Sequence, residues 1–91
     1  MAQKINPLKQ LPLDRTKCGH IQIHLAEIME EKGISLNQLS FRTEMQRTQL
    51  RRYRDNTAQR LDIDILTRLC YVLDCDLHEL IELVPYEGES D

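Results

Sequence analysis

Apolar residues recur along this chain at spacings that predict a series of short helices. Leu25, Ile28 and Met29 fall at i, i+3, i+4 and predict a first helix that ends after Lys32, with Gly33 as its left-handed cap. Just before it, Ile21, Ile23 and Leu25 alternate with polar residues, as in a short strand. The run Ile81-Glu82-Leu83-Val84 near the other end offers that strand a partner. Ser35 and Gln38 form an S-x-x-Q capping box that opens a second helix. Ile34, Leu39, Met45, Leu50 and Tyr53 then face inward, across a tight break and into a third helix from about Gln46 to Arg54.

Residues 55–60 read as a loop. Asp62 caps a fourth helix, and Asp64 lies in its first turn, where the helix dipole favours an acid. Ile63, Leu66, Leu69, Cys70 and Leu73 make its inner stripe, which Asp74-Cys75-Asp76 interrupts. Asp76 and Glu79 form a second capping box for a short fifth helix through Leu77, Leu80 and Ile81, closed by Pro85. Residues 81–84 therefore carry both a helical and a strand reading. The fold class expected is all-α, five helices around one small core, with a short terminal strand pair as an addition. Residues 1–19, with Pro7 and Pro12 and no sustained periodicity, read as a flexible basic arm. Residues 20–86 read as one folded domain, and 87–91 as a loose acidic tail. No internal repeat or low-complexity segment is present.

The third helix carries the chemistry. With Leu50 and Tyr53 facing the core, a turn of 100° per residue places Thr48, Arg51 and Arg52 on the opposite side, flanked by Arg47 and Gln49. A short helix with an arginine-rich outer face beside a tight turn suits insertion into a DNA major groove. The plain alternative is a solvated arginine face.

For an isolated helix the solvated face is the readier explanation; charge distribution along the chain is compatible with the first. The net charge of −3 by itself argues mildly against a polyanion. Residues 42–60, however, hold six arginines against Glu44 and Asp55, and residues 1–19 are also net positive. Residues 61–91 carry nine acids against Arg68 alone. Such a dipole would orient the basic end toward DNA.

Composition excludes other classes. With 41% hydrophobic and 30% charged residues the chain is globular. A core drawn from about 65–70 residues is marginal unless its helices pack well or it oligomerises. No apolar run approaches the ~20 residues of a membrane span, and the N-terminus lacks the apolar core of a signal peptide. A cytoplasmic chain with no membrane partner is expected. Cys18, Cys70 and Cys75 are odd in number and lack C-x-x-C spacing, and Cys70 falls on a buried stripe as a small hydrophobe. Cys18-Gly19-His20 with His24 suggests a metal clip. A closed zinc site needs four ligands, and adding Cys75 or His78 requires the two ends of the domain to meet. No metal or cofactor is expected. No phosphate loop, H-E-x-x-H or nucleophile elbow accompanies the histidines, so no catalytic residue is assigned and an enzyme is not expected.

The run I-S-L-N-Q-L-S, then five residues, then Q-R-T-Q-L-R-R-Y-R-D-N, then L-D-I-D-I-L-T-R-L-C-Y-V-L-D-C-D-L-H-E-L-I-E-L-V-P resembles the Cro/CI-type (Xre) helix-turn-helix family over residues 20–86. The match is to its small single-domain regulators. The resemblance implies a lambda-repressor-like domain whose helices 2 and 3 form the helix-turn-helix. It places Gln46, Arg47, Thr48, Gln49 and Arg52 at bases, with Arg51, Arg54 and Arg60 at phosphates. Arginine suits guanine O6 and N7, glutamine suits adenine, and the Thr48 methyl suits thymine.

Several positions depart from the family pattern. Leu36 replaces a phosphate-holding glutamine, Ser40 a small alanine, Glu44 a glycine, and Asp55-Asn56 an Asn-Gly. Phe41 occupies a normally exposed position. The function implied is a sequence-specific double-stranded DNA-binding transcriptional regulator, a repressor acting as a homodimer through helix 5 and the C-terminal segment. The alternative is an antitoxin or adaptor that binds a protein partner through its acidic C-terminal region.

Overall fold

Five leucines, one from each helix, have no solvent exposure: Leu25, Leu39, Leu50, Leu69 and Leu80. The computed structural model describes residues 13–86. In chain order these form a 3₁₀ turn at Arg15–Lys17, strand β1 (His20–Ile23), helices α1 (Leu25–Lys32), α2 (Leu36–Thr43), α3 (Arg47–Arg54), α4 (Ile63–Leu73) and α5 (Leu77–Leu80), and strand β2 (Ile81–Val84). The leucines meet Ile23, Ile28, Met29, Met45, Tyr53, Ile65 and Leu73 in one cluster. Full burial of a leucine is worth about 1.5–3 kcal/mol, so these side chains hold together helices too short to persist alone.

Local caps set most boundaries where the sequence places them. Gly33 is left-handed at φ 67°, and the Ser35–Gln38 box is formed in both directions. Asp62 accepts hydrogen bonds from the backbone of Asp64 and Ile65. The Asp76–Glu79 box is also complete, but α5 is a single turn. Ile81 is extended, and residues 81–84 pair antiparallel with β1 in the register His20↔Val84 to Ile23↔Ile81. The strand reading of these residues holds and the helical continuation to Pro85 does not. Pairing across the sheet satisfies more backbone groups here than another half-turn of helix would.

Two further expectations change. Ile63 lies outside the core at 81% exposure, and the buried stripe of α4 is Ile65, Leu69 and Leu73, with Leu66 and Cys70 packed beside it. Ile63 sits about a third of a turn from the centre of that stripe, in the first helical position, where no neighbouring element covers it. The break between α2 and α3 is only Glu44–Gln46, because Phe41–Thr43 continue α2.

Of the segment read as an arm, residues 13–19 hold the 3₁₀ turn, capped by the Asp14 carboxylate, which accepts from the Thr16 amide and hydroxyl. Gly19 adopts φ 82°, and a Cβ there would collide with the carbonyl oxygen of Val84. Residues 1–12 and the tail 87–91 lie outside the described residues. All three cysteines are free thiols. Burial, then the neighbouring Cys70, pushes the Cys75 thiol up to about 11, so it stays protonated at neutral pH. His24 turns to Glu82 across the sheet at 2.8 Å instead of toward Cys18.

One side chain ties the sheet to the helix-turn-helix. Asn56, just after α3, accepts from the Ile23 amide through Oδ1 at 2.7 Å and donates to the Ile23 carbonyl through Nδ2 at 3.0 Å. The His24 amide bonds Leu80, so alternation turns the Ile23 backbone groups away from β2. The Asn56 amide thus serves as a one-residue third strand. It does so from a left-handed backbone, φ 61°.

Asn56→Gly, which keeps that backbone accessible, is expected to lower the unfolding free energy by about 1–2 kcal/mol through the lost pair of hydrogen bonds. Asn56→Ala is expected to lose about a further 1 kcal/mol because alanine resists positive φ. Urea unfolding of the two variants checks both values. An unchanged glycine variant would show that the bracket contributes nothing.

Candidate nucleic-acid interface

Leu50 and Tyr53 anchor α3 from below. Both are buried, and the Tyr53 hydroxyl accepts from the Asp62 amide at 2.9 Å, joining the end of α3 to the start of α4. The other side of the helix is therefore left to solvent. Gln46, Arg47, Thr48, Gln49, Arg51 and Arg52 are all exposed.

This face divides two open grooves, each of about 550 Å³. The first lies between α2 and α3 and is bordered by Gln46, Arg47, Thr48 and Arg51, with Asn37, Ser40 and Phe41 from α2. The second is bordered by Gln49 and Arg52 and by the loop Thr57–Asp62, which includes Arg60. Of the eight residues singled out in the sequence, four border one groove and three the other.

Arg54 stands apart. Its Nε and Nη2 donate to the Asp55 carboxylate at 2.8 and 3.2 Å. These hydrogen bonds hold the Asp55 carboxyl below its ordinary range and raise the Arg54 guanidinium above its own. The charge of Arg54 is thus balanced locally, unlike that of its neighbours on the outer face.

Arg47 is oriented by a residue that the sequence reading did not single out. Its Nη1 donates to Asn37 Oδ1 at 2.8 Å, across from α2 to α3. That bond leaves the rest of the guanidinium fork for another acceptor. Arg68, on α4, was likewise not assigned. It donates to the Thr43 carbonyl at 3.0 Å at the C-terminus of α2 while paired with Asp64 at 2.9 Å. A cation at that helix end satisfies an orphan carbonyl and complements the dipole. A helical wheel drawn for α2 would have found Asn37 and Phe41 together on its outer face. Arg68 left no comparable local signal.

The turn itself is built without glycine. Glu44 is left-handed at φ 58° and caps α2, and the Ser40 hydroxyl donates to the Met45 carbonyl at 2.5 Å. Serine in place of alanine thus adds a bond inside the turn.

The family model for the Cro/C1-type HTH DNA-binding domain matches residues 24–86. The chain belongs to this family. Two solved structures are similar to it at the level of fold and sequence. One is the SinR protein in a complex with the SinI protein, at 26% identity and TM-score 0.54, covering 58% of this chain and 52% of that one. The other is SinR, the master regulator for biofilm formation, in complex with DNA, at 27% identity and TM-score 0.53, covering 57% of this chain and 82% of that one. The aligned part thus spans about half the length of the SinR chain in the first of these. No curated protein matches this chain significantly.

Within the Cro/C1-type frame, β1 precedes the matched residues, and Asn56 binds it to the domain. Members of the family are DNA-binding domains. Among the described residues no helix is long and apolar enough to cross a membrane, and no cluster of three or more metal-ligating side chains occurs.

Glu44→Gly is expected to raise the unfolding free energy by about 0.5–1 kcal/mol. Relief of the left-handed strain outweighs the added freedom of the unfolded chain. Chemical denaturation measures it, and a destabilised glycine variant would show that Glu44 makes a contribution beyond its backbone.

Proposed function

We propose that this chain is a sequence-specific, double-stranded DNA-binding transcriptional repressor that lays α3 in the major groove. The observation that carries this reading is the exposed face of α3, with Arg47, Arg51 and Arg52 held over two grooves by a fully buried Leu50. Arg47 and Arg52 are the guanine-reading forks, Gln46 and Gln49 the adenine-reading amides, and the Thr48 methyl meets thymine. Arg51 and Arg60 hold phosphates, and Arg54 joins them when it leaves Asp55. Residues 1–19 act as a basic arm beside the domain 20–86, and 87–91 as an acidic tail. Repression follows from occupancy of the operator.

The working species is a homodimer on two half-sites about 10–10.5 base pairs apart, because one head this small binds too few groups for tight recognition. Its interface lies in α5 and the C-terminal segment. Support for DNA as the partner comes from SinR, solved with DNA. A second reading has its own support: SinR is also solved with the SinI protein. The acidic stretch 74–91 of this chain would then bind a basic protein partner, as in an antitoxin or adaptor.

Selection of random duplexes at about 100 mM salt tests the first reading. The wild type is expected to enrich a palindrome that the Arg47→Ala/Arg52→Ala double variant does not. No enrichment, or equal enrichment by both proteins, would overturn base reading by α3 and favour the protein-partner reading. Asp55→Asn releases Arg54, so DNA affinity is expected to rise and the slope of log K against log salt to steepen by about 0.9. Fluorescence anisotropy over a salt series measures that slope, and a value left unchanged by both Asp55→Asn and Arg54→Ala would remove Arg54 from the phosphate contacts.

A further inference from the structure

Phe41 is the only phenylalanine in the chain and is 84% exposed. Single exposed apolar side chains are ordinary, so exposure alone assigns it nothing. Its place is informative. The ring borders the α2–α3 groove together with Gln46, Arg47, Thr48 and Arg51. One turn earlier on the same face, Asn37 is already bonded to Arg47. This side of α2 is therefore part of the same surface as the N-terminal half of α3. Among the side chains bordering the groove, Phe41 is the one large apolar group.

A duplex that fills this groove far enough to reach Thr48 is flanked by the ring. The apolar group that a base pair displays in the major groove is the thymine C5-methyl, and phenylalanine is among the side chains suited to contact it. Covering an exposed ring with that methyl removes apolar surface from water on both sides.

We infer that Phe41 is a specificity-determining residue of the proposed interface, packing its ring on the C5-methyl of a thymine at the α2 edge of each half-site. The inference rests on the reading of α3 as the recognition helix. It adds a base contact from α2 to those made by α3, and a second thymine to the one that the Thr48 methyl meets.

The test uses the full chain and the duplex enriched by the wild type, with each thymine replaced in turn by deoxyuridine. That exchange deletes the methyl and nothing else. At one position per half-site, besides the thymine met by Thr48, the wild type is expected to bind the deoxyuridine duplex about 3–10-fold more weakly. Phe41→Ala is expected to bind the thymine duplex weaker by a similar factor and to lose the discrimination at that position. Because Phe41 is exposed, the variant should melt like the wild type, which circular dichroism checks.

Equal discrimination by both proteins would overturn the inference. So would a variant uniformly weaker on every duplex, which would put the ring on deoxyribose. A variant that binds like the wild type would assign the ring to a protein contact and overturn it too. A wild type that enriches no duplex would instead take down the recognition-helix reading, and this inference with it.

Discussion

Helix length is the constraint on which this fold depends. Three of the helices have eight residues, one has eleven and one has four. Helices of that length are marginal in water, since nucleation is costly and few hydrogen bonds follow it. Each persists because it delivers one leucine to a common centre, and the five helices stabilise one another through it. For α3 this has a functional consequence. Its outer face is free for arginines because Leu50 and Tyr53 are its buried residues and supply its anchorage.

Keeping such short elements in register requires abrupt turns, and among the described residues three of them rest on a non-glycine residue at left-handed φ. Glu44, Asn56 and Asp74 adopt left-handed φ, which costs roughly 1–2 kcal/mol for an ordinary L-residue such as Glu44 and less for Asn and Asp. Compensation is clearest at Asn56, whose amide occupies both backbone groups of Ile23. Near Glu44 it comes from neighbours: Ser40 bonds across the turn, and Arg68 reaches the Thr43 carbonyl. The helix-turn-helix is thus braced from α4 and from the sheet as well as from within.

The same economy organises charge. A chain of net −3 presents a cationic surface because its acids lie mainly beyond residue 60. Within the cationic surface the arginines are not equivalent. Arg47 is steered by a neutral amide and keeps its charge for another partner, whereas Arg54 is balanced by Asp55. The first arrangement restricts a long side chain while leaving its charge unopposed. The second offsets the charge for as long as the pair holds.

The sequence by itself determined whatever is decided within a few residues. Capping at Ser35, Asp62 and Asp76 and the left-handed Gly33 were legible because cap chemistry spans i to i+3. The inward Leu39, Leu50 and Tyr53 and the arginine face opposite them followed from helical period alone. Residues 81–84 were ambiguous, since four apolar or alternating positions suit both a helix end and a strand, and pairing with residues 20–23 decided between them. Only the tertiary structure decided that Ile63 stays in solvent, that Asn56 brackets Ile23, that Asn37 holds Arg47, and that Phe41 shares the groove of α3. These depend on which surfaces of distant segments meet, and a one-dimensional period reports the direction of a side chain but not what waits there.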